Sequence, residues 1–91
     1  MIGGIVIETI ELADKVWINC KEKCSTSTCA IYVTKSPRSR SVSEGDTVWW
    51  QGGRAFWTPS SCPKRGPARG GEDYDIVLDR IGFSGVSRPK V

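Results

Sequence analysis

Two glycines, Gly52-Gly53, sit between the aromatic runs Thr47-Val-Trp-Trp-Gln51 and Arg54-Ala-Phe-Trp-Thr58. Only glycine takes positive φ without strain, so such a pair between β-branched and aromatic runs predicts a two-residue hairpin of type I′ or II′. The turn length then sets the register. Gln51 faces Arg54, Trp50 faces Ala55, Trp49 faces Phe56 and Val48 faces Trp57. Side chains alternate along a strand, so this register sorts them into two faces. Val48, Trp50, Ala55 and Trp57 form a wholly apolar face, expected to be core. Thr47, Trp49, Gln51, Arg54, Phe56 and Thr58 form the other, an aromatic pair set among polar groups.

The rest of the chain is consistent with a small β-rich fold. Residues 5–12 read as a strand, Ala13-Asp14-Lys15 as a turn, and 16–19 and 30–34 as two further strands, with a polar loop from Lys21 to Thr28 between them. Ser36 to Glu44 is expected to be a connector, where Pro37 discourages helix. Residues 74–83 make a last strand, and Gly82 is a candidate bulge. No window carries helical periodicity over ten or more residues. With 91 residues, 10 Gly and 5 Pro, the expectation is one all-β domain spanning 1–91. It would be a small antiparallel sheet or partly open β-barrel of five to six strands with long basic loops. A mobile loop is expected at about 60–72 and a tail or edge segment at about 84–91.

Net charge is +3, unevenly spread. Between 35 and 71, seven basic residues stand against Glu44 and Asp46, a net +5, whereas 1–34 and 72–91 each carry −1. A basic centre favours anionic partners, although such a block can also be plain solvated surface. An up-and-down strand order would bring the 35–46 and 59–71 connectors to one end of the sheet. Lys35, Arg38, Arg40, Lys64, Arg65 and Arg69 would then converge there, with the Gly52-Gly53 turn at the other end.

Catalysis has little material. The chain has no histidine, the commonest general base and partner of a nucleophile. Glu72, Asp73, Asp75 and Asp79 read as an ordinary acidic edge, and there is no P-loop or G-x-G-x-x-G. No enzyme activity is expected. Cys20, Cys24, Cys29 and Cys62 supply enough thiolates for a structural zinc, but C-x3-C-x4-C and a distant fourth residue do not match zinc-knuckle spacing. Cys20 and Cys29 flank a loop at the Gly52-Gly53 end and Cys62 falls at the other, roughly 15 Å away. The expectation is therefore reduced cysteines and no metal or other cofactor.

Binding has more. Trp49 and Phe56 could stack bases beside Arg54, while Arg38, Arg40, Lys64, Arg65 and Arg69 meet phosphates. These eight residues are the candidate ligand site for nucleic acid or a phosphorylated nucleotide. The same aromatic face could equally be core, a homodimer interface or a contact with a host protein. No run approaches a membrane span, and the N-terminus lacks the basic region of a signal peptide and meets Glu8 early. A soluble cytoplasmic protein with no membrane partner is expected.

Ser36-Pro-Arg-Ser-Arg-Ser-Val-Ser-Glu-Gly-Asp-Thr-Val-Trp-Trp-Gln-Gly52, Ala55-Phe-Trp-Thr-Pro59 and Arg80-Ile-Gly-Phe-Ser-Gly-Val86 together resemble small proteins encoded by tailed bacteriophages and prophages. The resemblance covers roughly 30–59 and 80–88. It implies an accessory protein of the host bacterial cytoplasm, a setting in which small β proteins bind nucleic acid, sequester nucleotides or block a host protein. It carries no catalytic residues and leaves the cysteines unassigned.

Overall fold

The computed structural model describes residues 2–22, 28–51, 53–60, 76–84 and 87–90, with 76–84 as backbone. Among the described residues there are six strands: β1 (Ile2–Glu11), β2 (Lys15–Glu22), β3 (Thr28–Thr34), β4 (Thr47–Gln51), β5 (Arg54–Thr58) and β6 (Ile76–Ser84). Every pairing is antiparallel, and the order β1-β2-β3-β6-β5-β4 closes on itself as a barrel. The helical element among the described residues is one 3-10 turn, Ser39–Ser41. The all-β antiparallel expectation holds. The seam that could have stayed open is filled by β1 against β4, from Ile2↔Trp50 to Ile5↔Thr47.

That seam depends on Gly3-Gly4. A Cβ on Gly4 would run into the carbonyl of Lys21, and one on Gly3 into Val48 O and the Trp49 backbone. Without side chains here, β1 fits between β2 and β4 at backbone contact distance.

The strand order overturns the simple meander. β3 pairs with β2 and β6, and β4 pairs with β1 and β5. Spatially, β4 lies beside β1 of the β1-β2-β3 meander, a Greek-key arrangement. The reason is the 35–46 connector, which crosses one end of the barrel instead of turning straight back. Val42 drops from it into the interior cluster, and Val6 N–H donates to Asp46 O at 2.8 Å while Gly45 N–H donates to Val6 O at 2.9 Å. The connector is therefore a lid packed on the core.

The interior follows strand alternation: Val16, Ile18 and Cys20 from β2, Ile31 and Val33 from β3, Val48 and Trp50 from β4, Ala55 and Trp57 from β5. Burial of each large side chain is worth about 1.5–3 kcal/mol. A second cluster lies outside the wall, where Ile10, Trp17 and Ala30 pack with Leu12 and Tyr32. Lys15 Nζ sits 4.1 Å above the Tyr32 ring. Ser84 is the last residue of β6 rather than the start of a tail, and beyond it Arg88 Nε donates to Glu8 Oε2 on β1 at 2.8 Å. No helix among the described residues is long and apolar enough to cross a membrane.

Candidate anionic-ligand site

The β4–β5 hairpin has the register that its turn predicts, from Thr47↔Thr58 to Gln51↔Arg54. Gly53 has φ +81°, which fits the second position of a type I′ turn and not of a type II′. Val48, Trp50, Ala55 and Trp57 do form the inward, core face. Outside, the Trp49 and Phe56 rings stack with centroids 6.1 Å apart and 14° between planes.

This stack is not an open platform. Trp49 is only 4% exposed, so neither face of its ring is available to a base, and Phe56 is half-buried. The expectation that Trp49 stacks a ligand is corrected accordingly. Pointing away from the barrel axis does not by itself expose a side chain, as the 4% exposure of Trp49 shows. Arg54 is exposed, but it adjoins Gly53 at the end of the barrel opposite to the 35–46 lid.

Arg38 and Arg40 are exposed on that lid, at the 3-10 turn. The turn is held by Ser36 and Ser39. Ser39 Oγ donates to Thr34 O at 2.9 Å and accepts from Ser36 N–H at 2.8 Å, and it is fully buried. Beside it, Lys35 Nζ lies 2.7 Å from Glu11 Oε1 and also donates to Leu12 O at 3.1 Å. Arg40 Nε stands 3.5 Å from the same Glu11 oxygen. The Lys35 hydrogen bond, with the charges of Lys35 and Arg40, holds the Glu11 carboxyl below its ordinary value.

The lid is locked by Asp46. Its Oδ2 accepts from Ser43 N–H at 2.8 Å and from Trp57 Nε1 at 2.9 Å, and its Oδ1 accepts from Ser60 N–H at 2.8 Å. One carboxylate thus joins the lid, the core hairpin and the first residues after β5. The 35–46 and 59–71 connectors do start from one end of the barrel, although the meander that suggested it is absent. The β4–β5 hairpin and the antiparallel ring suffice, because β3, β4 and β5 alternate in direction around it through β6. Lys64, Arg65 and Arg69 lie outside the described residues, as do Glu72, Asp73 and Asp75; Asp79 is described as backbone.

Cys20 and Cys29 are free thiols, and they are cross-strand partners in β2 and β3 near the Gly53 end. Cys24 and Cys62 lie outside the described residues. No group of three or more His, Cys, Asp or Glu suited to a metal ion occurs among the described residues. No protein-family model, curated protein or solved structure matches the chain.

Proposed function

We propose that this is a non-enzymatic binding protein for an anionic ligand, nucleic acid or a phosphorylated nucleotide, held at the lid end of the barrel. The observation that carries the reading is the Asp46 carboxylate, which ties Ser43 of the Arg38/Arg40 lid to Ser60, where the chain enters its second basic run. Lys64 follows that anchor by four residues, a chain length of at most about 14 Å. Exposed arginines on a rigid lid suit phosphate, because a planar guanidinium held in place loses little entropy per hydrogen bond. Trp49 is a wall residue and Arg54 belongs to the far end. The resemblance to phage and prophage proteins supplies a fitting setting, the cytoplasm of an infected bacterium.

The test is anisotropy of a labelled mixed-sequence single strand, titrated at low and at physiological salt. Saturable binding that weakens steeply with salt is the expected result. The double variant Arg38→Ala/Arg40→Ala should bind more weakly and flatten the log–log salt slope by roughly 1.4, about 0.7 per lost phosphate contact. No binding by micromolar protein at low salt would sink the nucleic-acid form of the reading, and the same outcome with nucleotides would sink it entirely.

One observation favours a second reading, a protein contact or homodimer through the barrel wall. Ile5 and Ile7 are 46% and 41% exposed on β1, and Ile5 pairs with Thr47, on the face that carries Trp49. Such a contact would survive salt and would be weakened by Ile5→Asp.

A further inference from the structure

The β2–β3 hairpin sets Cys20 directly opposite Cys29. Opposed residues in antiparallel strands project to one face, with Cα atoms about 4.5–5.5 Å apart. That lies inside the roughly 4.4–6.8 Å that a disulfide spans. Both sulfurs are thiols here. Cys20 is fully buried within the barrel core, and Cys29 is half-buried against it. Glu22, two residues beyond Cys20 and thus on the same face, accepts the Cys29 thiol hydrogen bond at 3.2 Å.

We infer that Cys20 and Cys29 form a reversible dithiol–disulfide site, closed by exchange with a low-molecular-weight disulfide of the glutathione class. The more exposed Cys29 reacts first. Its proton is lost to solvent water, and its sulfur attacks one sulfur of the small disulfide. The S–S bond breaks, the first thiolate leaves and takes up a proton, and Cys29 carries the mixed disulfide. Cys20 sulfur then attacks the Cys29 sulfur, and its proton goes with the second small thiol as that leaves. The protein loses two electrons and two protons, and the small disulfide becomes two thiols.

The surroundings keep the pair reduced at rest. The hydrogen bond to Glu22, burial and the carboxylate charge raise the Cys29 thiol above its ordinary value. Burial, with Cys29 close by, pushes Cys20 up to about 12 against a weaker opposing hydrogen bond from Gly4 N–H. Exchange needs thiolate, so the closed barrel slows it. Opposed Cβ atoms lie about 4.5–5.5 Å apart, wider than the roughly 3.8 Å mean of disulfides, so the bond would be strained and easily reduced. Slow closure and ready reduction describe a reversible site rather than a permanent staple.

The experiment compares the reduced full chain and its Cys24→Ser/Cys62→Ser variant in excess oxidised glutathione, followed by intact mass and peptide mapping. Both proteins should lose two hydrogens, yield a linked peptide joining Cys20 to Cys29, and recover their thiols with dithiothreitol. Adding Cys20→Ser should arrest the reaction at a glutathione adduct on Cys29. Glu22→Gln should speed closure several-fold at neutral pH, since no carboxylate then holds the thiol proton. A lasting adduct on Cys29 with Cys20 still a thiol would overturn the inference. So would a bond through Cys24 or Cys62 in the full chain, or no reaction in the folded protein.

Discussion

Asp46 shows how much one side chain can carry. Burial pushes its carboxyl up, but hydrogen bonds from Ser43, Ser60 and Trp57 outweigh that and hold it below its ordinary value of 3.8. A group with a depressed native value stabilises the fold fully above its unfolded value and loses that contribution as pH falls through the native one. Acid titration followed by tryptophan fluorescence should therefore show a stability loss setting in below about pH 4, reduced in Asp46→Asn. Asp46→Ala removes the acceptor from three N–H donors and should cost about 3 kcal/mol, read as a lower urea midpoint at unchanged slope. None of this was legible locally. Glu44-Gly45-Asp46 reads as a turn, and the partners Trp57 and Ser60 stand 11 and 14 residues on. The candidate site was legible only in part for the same reason. Arg38 and Arg40 are exposed because a lid presents them, whereas strand alternation marks Trp49 only as outward-facing and not as buried.

At the scale of elements, the β4–β5 hairpin was legible in full. Two glycines fix the loop length, loop length fixes register, and a period of two then assigns every side chain a face. Gly53 bears the backbone cost. A Cβ there would meet nothing within 4 Å, so Gly53→Ala tests conformation alone and should cost about 1 kcal/mol in thermal or urea unfolding. The 3-10 turn lies within the expected connector and has no sequence signal of its own, since the Ser36 and Ser39 hydroxyls that build it signal only a preference for turns. Trp17 was assigned a strand but no role. Its neighbours Ile10 and Ala30 come from β1 and β3, and only pairing brings them alongside.

At the scale of the molecule, the decisive event is closure. β1 must sit between β2 and β4, and two side-chain-free residues permit it. Gly4→Ala should force the seam apart at a cost of about 3 kcal/mol or more, with weakened near-ultraviolet circular dichroism from the tryptophans packed inside. If stability and that signal stay within error of the parent, the barrel does not depend on this contact. Closure also makes the lid matter, because a ring of six strands leaves an end to be filled and Val42 fills it. By itself the sequence determined the all-β class, most strand positions, the hairpin register and its core face. Those follow from turn chemistry and alternation, which act within about ten residues of chain. Tertiary structure alone decided the Greek-key order, the closed seam, the lid with its Asp46 lock and the burial of Trp49. Each of these rests on contacts between strands distant in sequence, whose partners are chosen by packing and not by local preference.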